Sequence, residues 1–211
     1  MKTPLFARYQ LQVATLAESP AATTCSALVA RRHHLRIVPS GSFEEAISFV
    51  KAGMADAALV PSAYPGINRF FMDPALRLFR AFAAKIPALI LAARPEAKAP
   101  FREVHAHPAT RPFWAELDAP IIEAASNDAA AAAVVGKDIA CITNEIAAKS
   151  AGLQILWTFR EASLMGWNLF VRAGAVRPQS STPATGPTAV RPKPVEFFAL
   201  PELAAHPEIS S

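Results

Sequence analysis

Cysteine is scarce: Cys25 and Cys141 are the only two in 211 residues, and no CxxC spacing is present. A zinc ribbon and a disulfide framework are thereby excluded, and the pair reads as two reduced thiols. Either could in principle act as a nucleophile, but a buried cysteine ordinarily packs as a small hydrophobe. Long apolar runs are missing too. Stretches such as Pro87 to Ala93 fall far short of the roughly 20 residues that cross a bilayer, so no membrane partner is expected. Met1 to Arg8 carry charge and proline but no apolar h-region; no secretory leader is expected, and the chain reads as cytoplasmic. Charged residues make up only 18%, and the net charge of +4 comes from scattered arginines without a nucleic-acid motif. Without such a motif nucleic acid is not the expected partner, but a modest cationic excess is equally consistent with a cleft for a small dianion and composition alone does not choose between them. Metal-ligand spacings and phosphate-binding loops are absent as well.

What is present is an apolar fraction of 52%, enough for a sizeable core. Short apolar strands alternate with amphipathic segments. Gln10 to Leu16, Leu35 to Val38 and Ala57 to Val60 read as strands, the last closed by Pro61. A helix is predicted from about Thr24 to Arg32. Another opens at Ser42, with Glu45 three residues on as a capping box, and ends near Gly53. In Asp73 to Phe82 the residues Leu76, Phe79 and Phe82 have helix-like spacing, though a strand entered from a turn is also open. Further strands are predicted at Ala88 to Ala93, Val104 to Ala106, Ile121-Ile122, Ile139 to Thr143, Leu153 to Phe159 and Trp167 to Arg172. Helices are predicted at Thr110 to Leu117, at Asp128 to Val135 behind an Asn127 cap, and from an Asn144 cap to Gly152. This alternation predicts an α/β fold with largely parallel sheets. After Gly174 the chain is rich in Pro, Ser, Thr and Ala, so residues 175–211 are expected to form a mobile tail; Val195 to Leu200 is its one apolar run.

Several segments, in order, resemble the catalytic domain of prephenate dehydratases: Val60-Pro61, Ala106-His107-Pro108, Ser126-Asn127 before an alanine-rich helix, and Ile142-Thr143-Asn144-Glu145 leading to Gly152-Leu153. A closer resemblance is to the non-aromatising prephenate decarboxylases of the bacilysin pathway. It runs from Val60 through Ser62, Tyr64 and Ile67 to Leu76, and returns at Arg94-Pro95 and at Met165 to Phe170. The resemblance implies a two-lobed fold similar to type II periplasmic-binding proteins, with the ligand in the cleft between lobes. Residues 1–174 would form that domain, with lobe one about 10–82 plus 155–172 and lobe two about 83–154. The tail is too short and proline-rich for the phenylalanine-binding ACT domain of the dehydratases. The implied activity is decarboxylation of prephenate to a dihydro-4-hydroxyphenylpyruvate for a specialised amino acid or antibiotic, without cofactor. A lyase or isomerase on a related acid, or a binding protein without catalysis, are the alternatives; a homodimer is compatible with either.

The resemblance also says what has changed. The dehydratases place a Thr-Arg-Phe motif on the last strand, the threonine beside the leaving hydroxyl; here the aligned residues are Asn168, Leu169 and Phe170. Ala63 and Tyr64 replace the Glu and Asn of Val-Pro-Ile-Glu-Asn-Ser, and Ala106 and Ala109 flank His107-Pro108 where the family has Ser and Gln. Its Gly-Pro-Glu-Gly-Thr loop becomes Ser19-Pro20-Ala21-Ala22-Thr23-Thr24, without glycine. The candidate catalytic residues are His107, Tyr64 and Asn168. His107, at a strand-to-helix corner, could hydrogen-bond or protonate the substrate, or simply fix its loop. Tyr64 could supply a phenolic hydrogen bond or pack in a turn. The substrate-binding candidates are Thr23, Thr24, Ser62, Ser126, Asn127, Thr143, Asn144 and Trp167, several of them at helix N-termini that favour a carboxylate. Trp167 could form an apolar wall or sit in the core. Arg69, Arg80 and Arg94 are possible partners for a dianion.

Overall fold

In the computed structural model, residues 11–174 are described and belong to one compact unit; the proline-rich tail and the Val195 to Leu200 run lie outside the described residues. The chain runs β1 (Gln12–Leu16), α1 (Cys25–Arg32), β2 (Arg36–Ser40), α2 (Phe43–Ala52), β3 (Ala57–Pro61), α3 (Asn68–Phe71) and β4 (Leu76–Ile86). It continues through β5 (Leu89–Ala93), β6 (Val104–Ala106), a 3-10 helix (Pro108–Glu116), β7 (Ile121–Glu123), α4 (Asn127–Val134), β8 (Ala140–Asn144), α5 (Glu145–Ser150), β9 (Gln154–Arg160) and β10 (Ser163–Arg172). No helix among the described residues is long and apolar enough to cross a membrane.

The strands form two five-stranded sheets, in the orders β2-β1-β3-β10-β4 and β7-β6-β8-β5-β9. Each is half parallel. In the first, β2, β1 and β3 run parallel while β10 is antiparallel to both β3 and β4. In the second, β7, β6 and β8 run parallel while β5 is antiparallel to β8 and β9. The expectation of largely parallel sheets is corrected accordingly: the chain crosses between lobes at residues 87–88 and 161–162, and each crossing sends it back as an antiparallel strand. Those crossings also shift the lobes. β4 continues to Ile86 in the first sheet, and β9, expected in lobe one, pairs with β5 in the second.

Both sheets are covered on two faces. In the first, α1 brings Val29 and Ala30 against Val13, Leu59 and Trp167, while α2 brings Ala46, Ile47 and Val50 against Val60 and Phe170. In the second, Ala130, Ala131 and Val134 of α4 pack on Ile90 and Cys141, and Phe113 and Trp114 of the 3-10 helix cover the opposite face. Small residues on α4 let it approach its sheet closely, which is why an alanine-rich helix can be a core element.

Local signals set the helix boundaries. Ser42 Oγ accepts from Glu45 N at 3.0 Å, and Gly53 closes α2 with φ of 76°, where a side chain would be strained. The Glu45 carboxylate reaches back to Gly41 N at 2.6 Å, one residue before the cap itself. Ser126, rather than Asn127, caps α4 by accepting from Ala129 N at 2.9 Å. The segment with two open readings, Asp73 to Phe82, enters a strand. A bulge shifts the β4–β10 register between Leu169 and Phe170, opposite Arg80 and Leu78. Phe79 and Phe82 therefore reach the same core, while Leu76 packs in the other.

Candidate functional site

A cavity of about 930 Å³ opens between the lobes, at the ends of the parallel strands where open α/β sheets receive ligands. From lobe one it is lined by Thr24, Tyr64 and Trp167; from lobe two by His107, Ser126 and Asn127. Those are six of the eleven residues singled out in the sequence. Phe43, Ile86, Leu89 and Met165 supply its apolar wall, and Cys25 sits beside Thr24.

Lining hydroxyls are largely spoken for. Thr24 Oγ1 donates to Leu16 O at 2.8 Å, Thr110 Oγ1 to His107 O at 2.8 Å, and Ser126 Oγ to Glu18 Oε1 at 2.8 Å. Tyr64 donates a hydrogen bond from its hydroxyl to the Glu44 carboxylate. Burial, then that contact, pushes the phenol up to about 12, so it stays protonated through neutral pH. The ring is held by Phe43 and Phe70, with centroids 4.9 and 5.9 Å away, and it lies over Gly66, where a Cβ would come within 2.6 Å of it.

His107 ends β6 and caps the 3-10 helix: its Nδ1 accepts from Ala109 N at 3.2 Å. That bond leaves the ring proton on Nε2 in the neutral form. Burial holds the imidazole below its usual range, and the Glu123 carboxylate offsets this in part. The Cys25 thiol is pushed up to about 11 by burial and then by the Asp128 carboxylate, which keeps it protonated and weakens any nucleophilic role.

Among the described residues three arginines line the cavity: Arg69, Arg111 and Arg160. Arg69 is paired with Glu44 at 3.2 Å, and Arg111 with Glu123 at 2.7 Å. Arg160 has no ion pair with any described residue. Of these, only Arg69 is among the arginines singled out from the sequence. Arg80 and Arg94 do not line the cavity; Arg94 donates to Asp138 and Glu96 on the surface. Arg111 was legible as the fourth residue after His107, and Arg160 only once β9 was known to end at the cleft.

Five candidates have other contacts. Thr23 N and Oγ1 each donate to the Asp128 carboxylate at 2.6 Å, and Thr23 O accepts from Asn144 Nδ2 at 2.9 Å. Together with Ser126–Glu18, these bonds clasp the lobe-one loop to the starts of α4 and α5. Asn144 also caps α5, accepting from Ile146 N at 3.0 Å and Ala147 N at 2.9 Å, and buried Thr143 donates to Asn127 O at 2.7 Å. Asn168 is buried behind the cavity wall and donates to Ser62 Oγ at 2.9 Å. Neither Asn168 nor Ser62 is among the lining residues. Gly166 makes room for the pair, since a Cβ there would meet Ser62 Oγ at 2.5 Å. None of these five is among the lining residues, and each has at least one side-chain polar atom bonded within the protein.

No protein-family model matches the chain. Among solved structures it resembles the prephenate dehydratase of Arthrobacter aurescens in complex with L-Phe, with a TM-score of 0.59 and 23% identity over 80% of this chain and 62% of that one. Two mixed sheets enclosing a cleft thus define a two-lobed, prephenate dehydratase-like α/β domain of the type II periplasmic-binding kind. Sequence comparison narrows this. The chain is 32% identical over 139 residues to the prephenate decarboxylase of Bacillus amyloliquefaciens, covering 61% of this chain and 67% of that relative. It is 31% identical over 141 residues to that of Bacillus subtilis strain 168, with the same coverage. The chain belongs to the prephenate decarboxylase family.

Proposed function

We propose that this protein decarboxylates prephenate without aromatising it. The observation that carries the reading is the state of the cavity's hydroxyls: four of the five residues that bring one to its wall already donate that proton to a protein acceptor. A dehydratase must give a proton to the departing ring hydroxyl, and these groups are poorly placed to do so. Decarboxylation needs something else. The bond from the ring to its carboxylate breaks, the electron pair moves into the ring diene, carbon dioxide leaves, and one proton adds to a ring carbon. Nothing is oxidised or reduced, and the substrate's own diene accepts the charge, so the reading requires no cofactor.

His107 is the residue we assign to proton delivery, from Nε2 of the imidazolium, a form in which Nδ1 is also protonated and gives up its bond from Ala109 N. The apolar wall of Phe43, Met165 and Trp167 supports the first step by offering the ring carboxylate little solvation, where dispersal of its charge in the transition state is favoured. Arg160 is the cation best placed to receive a carboxylate, because it alone of the three lining arginines has no ion pair with a described residue.

The reading is tested by incubating purified protein, dialysed against chelator, with prephenate. Stoichiometric release of carbon dioxide is expected, with a product that keeps the ring hydroxyl, since dehydration releases carbon dioxide too. Unchanged prephenate under the same conditions would sink the proposal.

A further inference from the structure

Two residues that line the cavity each carry a buried polar atom with no hydrogen-bond partner among the described residues: Trp167 Nε1 and Asn127 Oδ1. Trp167 is 0% exposed, and a buried indole N–H ordinarily finds an acceptor. Asn127 is held by its other atoms: its carbonyl accepts from Thr143 Oγ1 at 2.7 Å, and its Nδ2 lies 3.9 Å from Cys25 Sγ as a donor. The thiol there is protonated at neutral pH, being pushed up to about 11 by burial. The two orphans are complementary. One is a fixed donor on β10 in lobe one; the other is an acceptor at the start of α4 in lobe two.

We propose that this pair reads the two ends of the substrate: Trp167 Nε1–H donates to a carboxylate, and Asn127 Oδ1 accepts from the ring hydroxyl. The inference rests on the decarboxylase reading and adds to it the residues that determine specificity. It follows from the chemistry of each atom. An indole N–H can only donate, so its partner is an acceptor, and a dianion brings several. An amide oxygen can only accept, so its partner is a donor, and the ring hydroxyl is the one donor on a prephenate dianion. A hydroxyl that donates is left more electron-rich at oxygen and leaves less readily. Asn127 has no proton at Oδ1 to give it. Recognition and retention of the hydroxyl then come from the same contact.

Calorimetry on the full chain, with His107→Gln present throughout so that turnover is slow, tests the assignment with two ligands, prephenate and the analogue lacking the ring hydroxyl. The His107→Gln protein is expected to prefer prephenate by about five-fold, the value of one neutral hydrogen bond, and its Asn127→Ala form to bind both equally. Trp167→Phe keeps an aromatic ring, though a smaller one, and loses the N–H; it is expected to weaken both ligands about ten-fold or more, as for a bond to a charged group. Melting temperatures taken alongside show that both variants fold. A second reading needs no variant at the site during measurement: the Trp167 indole N–H resonance, identified by its absence from Trp167→Phe, should move on addition of prephenate. If Asn127→Ala keeps the preference, or the indole resonance stays where it is while prephenate binds, the assignment is overturned and water is the partner of these atoms. A wild type that consumes prephenate while the variants behave like it removes only this inference. A wild type that neither binds nor consumes prephenate removes the decarboxylase reading as well.

Discussion

His107 carries the sharpest expectation at the scale of single residues. As proton donor it must be in the imidazolium form, and burial lowers its affinity for that proton in the free protein. kcat/KM should therefore fall as pH rises through a value below the ordinary 6.5 of histidine. His107→Gln should lose about 10²–10³-fold in kcat and flatten that limb. A variant that keeps both the rate and the profile would return His107 to the role its Nδ1 already has, holding Ala109 N. The second expectation concerns packing. Gly166→Ala drives a Cβ to 2.5 Å from Ser62 Oγ, which takes the acceptor away from the buried Asn168 amide. A loss of about 1–3 kcal/mol in denaturant unfolding is expected, and an unchanged midpoint would show that Ser62 can turn aside without cost. Residue types were legible where a motif located them: His107, Ser126 and Asn127 stand at strand ends and helix starts, and all reach the cavity. Thr23 and Asn168 fell in matching motifs too, yet their polar atoms turn to Asp128 and Ser62. A sequence pattern gives the position of a side chain along the chain, not which neighbour takes its hydrogen bond.

Among the elements, the lobe-one loop and α4 behave as one unit through the clasp. Asp128 accepts two bonds from Thr23 at 2.6 Å, part-buried and charge-assisted. Asp128→Ala should cost about 1.5–3 kcal/mol of stability. The same change in a Thr23→Val background should cost clearly less, since the side-chain bond is already gone; equal costs in both backgrounds would mean the two residues are not coupled. This is also where the glycine-free loop makes physical sense. A loop that must approach a ligand with its backbone needs glycine, whereas Ser19 to Thr24 holds its place through side-chain and backbone bonds to lobe two. The elements most legible in the sequence were those with caps, α2 and α5 above all. β4 was the ambiguous one. Its bulge inserts a residue into an otherwise alternating strand, and the resulting three-residue spacing of Phe79 and Phe82 on one core imitates a helix period. Periodicity alone could not separate the two, because the partner strand that shifts the register lies about ninety residues further along the chain.

For the whole molecule, the buried acids set an alkaline limit to stability. Burial first holds the Cys25 and Cys141 thiols at about 11 and about 12, against 9.0 for an ordinary thiol. Between those values the unfolded chain has lost protons that the folded chain retains, so unfolding becomes more favourable as pH rises. The melting temperature should hold up to about pH 9 and fall beyond it, and Cys141→Ala should make the fall shallower. His33 and His107 act in the opposite sense: both are held below 6.5, chiefly by burial, so the stability of their neutral forms is present above 6.5 and is lost as pH falls through their lowered values. A melting curve flat from pH 7 to 11 would contradict the burial of the thiols. The fold itself, two lobes around a cleft, was legible from the order of motifs. The placement of β9 was not, since it depends on pairing with β5 across sixty residues of sequence.

On the proposed reading, this cleft removes carbon dioxide and leaves the ring hydroxyl in place. Mass spectrometry and ultraviolet absorbance of the product formed from prephenate test it most directly. A product that has lost carbon dioxide, kept its hydroxyl oxygen and gained one proton on a ring carbon is the result expected. Phenylpyruvate, which has lost both, would contradict it.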